Sequence, residues 1–357
     1  MKRREARTLY FREQLLSWHQ AAPLRPLPWK INRDPYRIWL SEIILQQTRM
    51  DQGLPYYLRF VERYPDVHAL AQARDDEVFR LWQGLGYYNR CKNLLTTARH
   101  ISETLGGRFP DTYEDILKLK GVGNYTAAAI SSFAYALPCA VVDGNVYRVL
   151  SRYCGIETPI DTGTGKREFQ ETADQFLYRE DSAAYNQAIM DFGATVCKPV
   201  QPECGECPLS LHCEARKQNL VSLLPVKSKK TLSKTRYFHY LLLVNGARLW
   251  IRKREERDIW QNLFEPFLLE AEKPLDSEEL LQQPLWKKTG LLAEPILMGE
   301  GRQKLSHQLI EARFFKVEVQ DRKLRIPGGG KWVSVNELDA YPLPRTLISF
   351  FEKNFYF

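Results

Sequence analysis

The sequence predicts two domains, a larger all-α domain followed by a smaller α+β domain. Three observations carry that expectation. At 357 residues the chain has room for two domains of roughly 150 residues each. From residue 10 to about 220, apolar residues recur at helical spacing and are interrupted by Gly and Pro, whereas beyond 237 short alternating or apolar runs take over. Between the two stretches lies LPVKSKKTLSKTR, residues 224–236, with five basic residues, no acidic one and no helical period. That is the composition of a linker, which sets the domains at 1–223 and 237–357.

Within the first domain the pattern predicts helices over 8–19, 35–49, 54–63, 75–82, 88–105, 112–118, 125–136, 145–154, 166–177 and 182–196. Asp34 and Pro35 are an N-cap and first-turn pair for the second of these, and Gly84–Gly86, Gly106–Pro110, Gly121–Gly123 and Pro138 supply the breaks. In the second domain, strands are expected over 237–244, 249–253 and 314–319, with a helical piece over 277–288.

Bulk properties narrow the function. Net charge is +8, which favours a polyanionic partner. Residues 224–357 hold 23 Lys+Arg against 17 Asp+Glu, and residues 1–223 hold 28 against 26, so the helical half must place charge locally or bind through backbone amides. No stretch approaches the ~18 apolar residues of a membrane span. The basic N-terminus MKRREARTLYFREQLLSW lacks an apolar signal core, so a cytoplasmic chain is expected.

Three motifs carry chemistry. In DPYRIWLSEIILQQTR, Glu42 shares a helix face with Ile38, Trp39 and Leu45. Such a carboxylate is either a boundary residue whose head reaches water or a buried acid whose raised pKa makes it a proton donor near neutrality. In YEDILKLKGVGNYTAAAISSFAYA a short helix, a Gly-Val-Gly hairpin and a second helix follow one another over about 112–136. Gly121 and Gly123 allow close backbone approach, and the amides opening the second helix favour an anion such as a phosphate. In VVDGNVYRVLS, Asp143 is an N-cap aspartate, held rigidly and expected to stay ionised as a group facing a developing cation must.

Of seven cysteines, Cys91, Cys139 and Cys154 are scattered in core-like segments and read as buried thiols. Cys197, Cys204, Cys207 and Cys213 have six, two and five residues between them. In a cytoplasmic chain this crowding points to metal rather than disulfides. A zinc site and an iron–sulfur cluster both use such ligands, but zinc sites usually show two close doublets and only one is present.

Taken together, LPW at 27–29, DPYRIWLSEIILQQT, LWQGLGYYNRCKNLL at 81–95, LKGVGNYTAAAI, VVDGNVYRVLSR, NQAIMDFGATVC at 186–197 and the four-cysteine loop resemble the adenine DNA glycosylase (MutY) family of the helix-hairpin-helix, endonuclease III superfamily. The resemblance spans the helical half in the family's order. It implies an all-α glycosylase domain with one 4Fe–4S cluster on Cys197, Cys204, Cys207 and Cys213, and a C-terminal Nudix-like α+β domain. It also implies removal of adenine mispaired with 8-oxoguanine or guanine in double-stranded DNA, by a monomeric, nucleoid-associated bacterial enzyme.

By the same resemblance Glu42 is the general acid, Asp143 the stabiliser or covalent partner of the oxocarbenium ion, and Tyr125 and Asn145 orient them. Arg25, Trp29, Lys30 and Gln187 line the adenine pocket. Gln47, Thr48, Leu85, Tyr88, Gly121, Gly123 and Lys198 touch DNA. Tyr125 stands where bifunctional relatives carry a Schiff-base lysine, so a monofunctional enzyme is implied. A glycosylase/lyase acting on oxidised pyrimidines and a non-catalytic DNA-scanning protein are the competing readings. Leu305, Ser306 and His307 match a Phe-Ser-His loop that reads 8-oxoguanine, with Leu305 replacing the aromatic. DSEELLQQPLWKKTG has Glu278 and Glu279 but lacks the metal-binding arrangement of a true Nudix hydrolase, so the second domain is expected to read rather than hydrolyse.

Overall fold

The computed structural model describes residues 2–22, 27–31, 33–228, 234–291, 293–320 and 326–354. The chain forms two compact units, one from Met1–Ala71 with Asn93–Lys230 and the other from Gln72–Lys92 with Thr231–Phe357. Arg25 and residues 229–233 of the expected linker lie outside the described residues.

The first unit is helical. Its order is α1 (Lys2–Ala21), α2 (Pro35–Leu45), α3 (Met50–Arg63) and α4 (Val67–Gln72), then α5 (Asp75–Trp82) of the second unit, α6 (Asn89–Arg99), α7 (Tyr113–Leu117), α8 (Asn124–Tyr135), α9 (Gly144–Cys154), α10 (Gly163–Phe176), α11 (Ser182–Thr195) and α12 (Glu214–Lys217). Helix α2 starts where the sequence predicts, with the Asp34 carboxylate accepting from Tyr36 N at 2.9 Å. It stops at Leu45 instead of 49, because Gln46 turns to an extended ψ of 117° and Gln47 takes a φ of +55°. The Gln46 amide is drawn to Thr126 Oγ1 at 3.1 Å, a tertiary bond that helical spacing does not reveal. Tyr36, Ile38, Trp39, Leu40, Ile43 and Ile44 are all buried on α2, so this is an interior helix packed against α8 and α3. A second core joins α1, α9, α10 and α11 through Phe11, Leu15, Val149, Tyr153, Phe169, Phe176 and Phe192.

Among the described residues, the second unit is built on a seven-stranded mixed sheet of order β3-β2-β1-β6-β5, with β4 also on β1 and β7 on β2. The strands are β1 (Lys234–Asn245), β2 (Arg248–Lys253), β3 (Phe264–Glu265), β4 (Phe267–Ala271), β5 (Ile296–Lys304), β6 (Gln308–Glu318) and β7 (Lys331–Ser334). β1 begins at Lys234, three residues into what the sequence suggests is linker, because it runs parallel to β6 from the pair Lys234↔Gln308 onward. Helices α13 (Ser277–Leu281), α14 (Pro284–Thr289) and α15 (Arg345–Asn354) complete it. Leu280 of α13 and Trp286 of α14 pack in one core with Leu241, Trp250, Phe267 and Phe315. Alternation along β6 sends Phe314 the other way, where it stacks on Tyr240 and on Phe350 of α15, ring centroids 5.6 and 3.9 Å apart.

Candidate active site

Two carboxylates and a phenol meet inside the first unit. Glu42, 7% exposed, hydrogen-bonds the Tyr125 hydroxyl. Burial pushes its pKa from the usual 4.5 to about 7, the Tyr125 hydrogen bond opposes the shift, and the charge of Asp143 adds to it. Helix α2 fixes this position: its neighbours Ile38, Trp39 and Ile43 are core residues, so Glu42 lies on a buried face of the helix and its head meets Tyr125. Tyr125 opens α8 one residue after Asn124, and burial beside the two acids holds its phenol well above the ordinary range.

Asp143 caps α9. Its Oδ1 accepts from Asn145 N and Val146 N, both at 2.8 Å, and its Oδ2 from Asn145 Nδ2 at 2.7 Å. An N-cap alone lowers a carboxylate pKa, yet burial wins here and Asp143 is raised, against the bonds from Val146 and Asn145 and the charge of Arg148. The sequence expectation of a rigidly held N-cap carboxylate is met in its geometry, and the cap's donors act against the desolvation that burial adds. With one acid pushed to about 7 and the other tied to three N–H donors, the pair divides into a proton donor and a charge-stabilising carboxylate.

Asn145 is itself held. Its Oδ1 accepts from Arg148 Nη2 at 2.7 Å, and the same guanidinium donates to Gly193 O at 2.6 Å and to Cys197 O at 2.6 Å. These bonds fix the amide with its NH2 on Asp143. Gly193 lets α11 approach α9: a β-carbon there would stand 2.6 Å from the Asn145 β-carbon. Arg148 and Gly193 were not singled out from sequence; Arg148 lies three residues after Asn145 on one helix face, a spacing that marks it in retrospect.

The hairpin has the expected glycine geometry. Gly121 has a φ of +81° and a β-carbon there would fall 2.7 Å from that of Asn93. Gly123 is the N-cap of α8 and offers no side-chain cap. Trp29 is buried edge-on to Tyr57, ring centroids 5.0 Å apart. Lys30 and Gln187 both meet Asp191, Lys30 through Nζ at 3.1 and 3.0 Å. Gln47 is exposed and Thr48 half-buried after the end of α2. Lys198 is ion-paired with Glu203 at 2.7 Å.

Two of the four clustered cysteines meet Arg152 near the end of α9, Cys197 at its guanidinium and Cys213 at its carbonyl. Cys197, Cys207 and Cys213 pack against the core that holds Tyr153 and Leu209, and the thiols interact electrostatically with one another. Arg152 Nη1 donates to Cys197 Sγ at 3.4 Å and to Lys198 O at 2.8 Å. Burial raises the Cys197 and Cys213 thiols, and Cys207 to about 11. Among the described residues, no group of three or more His, Cys, Asp or Glu side chains is arranged to hold a single metal ion. The donor set is all sulfur, backed by a guanidinium and apolar packing, which fits a thiolate-held cluster.

In the second unit Leu85 is 5% exposed and Tyr88 is 8% exposed, with the Tyr88 hydroxyl accepting from Gly84 N at 3.2 Å. Tyr87 differs: its φ of +49° turns the ring outward to 48% exposure, with the Arg90 guanidinium 5.3 Å from its centroid. Leu305, Ser306 and His307 form the turn between β5 and β6, closed by Leu305 N to Gln308 O at 2.7 Å. Ser306 and His307 are exposed, and the Ser306 and Tyr87 hydroxyls are hydrogen-bonded. Glu279 forms a capping box with Asp276 on α13 and pairs with Lys273.

Residues 40–175 match the model of the HhH-GPD superfamily of base excision DNA repair proteins, and residues 239–353 match the NUDIX domain model. The chain is 36% identical over 259 residues to an adenine DNA glycosylase of Buchnera aphidicola subsp. Baizongia pistaciae, covering 72% of this chain and 73% of that protein. It is 40% identical over 227 residues to an adenine DNA glycosylase of Rattus norvegicus, covering 60% of this chain and 44% of that one. Among solved structures, a thermostable thymine-DNA glycosylase superposes with a TM-score of 0.56 at 29% identity, covering 60% of this chain and 98% of its own. An endonuclease III in a non-covalent DNA complex shares the fold, with a TM-score of 0.53, 22% identity and the same coverages. Among the described residues no helix is long and apolar enough to cross a membrane.

Proposed function

The chain belongs to the adenine DNA glycosylase family, and from that premise we propose that it flips out adenine mispaired with 8-oxoguanine or guanine in duplex DNA and hydrolyses its glycosidic bond. The observation that carries the reading is Glu42, an acid raised to about 7 by burial and hydrogen-bonded to Tyr125, with Asp143 close enough to add to the shift. A target base must leave the stack to reach such an interior site. Glu42, protonated in a large fraction of molecules at neutral pH, gives its proton to a ring nitrogen of adenine so that the base departs neutral. Asp143, oriented by Asn145 and through it by Arg148, stabilises the sugar cation, as the second carboxylate of a retaining glycosidase does. Tyr125 holds the Glu42 carboxyl in place. A phenol forms no Schiff base with the sugar, so base release is not followed by strand cleavage.

Trp29, Lys30 and Gln187 line the base pocket in this reading. The amides opening α8 after Gly123 take a DNA phosphate, with Gly121 allowing the close approach. Gln47 and Thr48 follow the acid-bearing helix onto DNA, Leu85, Tyr88 and Lys198 meet the duplex with them, and the exposed Tyr87 adds a second aromatic there. Cys197, Cys204, Cys207 and Cys213 hold one 4Fe–4S cluster, which supplies a rigid cross-link for the loop beside α9. The turn Leu305–Ser306–His307 presents a hydroxyl and an imidazole to the opposite base. The capping role of Glu279 supports a second unit that reads a base and does not hydrolyse nucleotides. A duplex with one labelled adenine opposite 8-oxoguanine tests the reading: strand breaks only after alkali are expected. Breaks without alkali would indicate a lyase, and none in either arm would refute the glycosylase.

A further inference from the structure

Asp191 has no part in the mechanism above, yet it lies beside the groups that do. On α11 it follows Met190, which packs in one cluster with Tyr125, and precedes by two residues Gly193, which meets Asn145. Its carboxylate accepts Lys30 Nζ on both oxygens, at 3.1 and 3.0 Å, and faces His19 Nε2 at 3.3 Å. Gln187 stands one turn back on the same helix, the i,i+4 spacing at which a glutamine amide reaches an aspartate. Burial alone would raise Asp191, but His19, Lys30 and Gln187 together hold it below the usual carboxylate range.

An ionised carboxylate only accepts hydrogen bonds, whereas a glutamine amide has a donor end and an acceptor end that sterics barely distinguish. With its NH2 committed to Asp191, Gln187 turns its carbonyl away from that carboxylate. The Lys30 ammonium is likewise turned onto Asp191 and not toward a base. We propose that Asp191 is a positioning residue that fixes the Gln187 amide with its carbonyl toward the flipped base, so that the pocket accepts from a 6-amino purine and rejects a 6-oxo purine. This rests on the reading of Lys30 and Gln187 as pocket residues. A 6-oxo group would set one buried acceptor against another, which is the kind of mismatch that hydrogen-bonding pockets reject most strongly.

The test compares single-turnover release of adenine and of hypoxanthine from otherwise identical duplexes, each opposite 8-oxoguanine, with burst amplitudes normalising every rate to folded enzyme. The wild-type chain is expected to prefer adenine. Asp191→Asn, whose own amide lets Gln187 reverse, should shrink that preference by about tenfold or more. Adding Gln187→Glu, an acceptor in either orientation, should restore it. A preference unchanged in Asp191→Asn, or one not restored in the double variant, would overturn the inference while leaving the glycosylase reading intact. Failure of the wild-type chain to release adenine would overturn both.

Discussion

Replacing Glu42 by Gln isolates the energetic consequence of placing an acid on the inner face of α2. Burial takes its pKa from 4.5 to about 7. At ~1.4 kcal/mol per unit, ionising this group in the folded protein costs about 3 kcal/mol more than in the unfolded chain. Because the folded-state pKa is the higher one, the native state binds the extra proton between the two values. Stability associated with the neutral carboxyl is therefore complete below about pH 4.5 and is lost as pH climbs through about 7. Glu42→Gln keeps the shape and removes the charge. It should match the wild type near pH 4.5 and exceed it by about 3 kcal/mol near pH 8, read as the difference in unfolding free energy from urea titrations at each pH. A difference that does not change with pH, or one of less than about 1 kcal/mol near pH 8, would show that water reaches the carboxylate and that the raised pKa is wrong.

Other outcomes follow from single contacts. Gly193→Ala forces a β-carbon to within 2.6 Å of the Asn145 β-carbon; it should cost ~1–3 kcal/mol in urea unfolding and slow base release, while duplex affinity stays near wild type in a gel-shift titration. Tyr87→Ala should weaken binding to a lesion duplex by ~1–3 kcal/mol, and Tyr88→Phe, which keeps the ring, should leave binding unchanged and cost about 1 kcal/mol of stability through the lost Gly84 bond; unchanged binding by Tyr87→Ala would remove Tyr87 from the duplex. Fresh protein should contain iron and absorb visible light, and Cys207→Ser should lose both; zinc in place of iron would refute the cluster.

Much of this arrangement was legible in the chain because it rests on local signals. Asp34 and Pro35 announce the start of α2, and the apolar neighbours of Glu42 announce its burial; both features lie within one turn of the residue concerned. Asp143 was legible as a cap for the same reason. The sites of failure are tertiary. Nothing near Gln46 foretells its extended ψ and the positive φ of Gln47, which end the helix at Leu45. Arg148, Gly193 and Asp191 act across helices that are far apart in sequence, and Asp191 reads locally as an ordinary helix-surface acid. In the second unit the short strands β3, β4 and β7 and the helix α15 were not predicted. β3 has two residues and, among the described residues, pairs with β2 alone, and α15 packs with Phe350 on Phe314. β5 was missed because the positions it turns inward, Gly299, Gly301 and Gln303, are not hydrophobic, so its sequence lacks the apolar alternation that marks a strand.

The central claim is that Glu42 protonates a flipped adenine, and its most direct test is the pH profile of single-turnover adenine release from an adenine:8-oxoguanine duplex. The account predicts a rate that is steady below about pH 7 on the acid's own limb and falls tenfold per unit above it, with no release by Glu42→Gln at any pH. A rate that stays level above about pH 7, or a Glu42→Gln variant that still releases adenine, would contradict it.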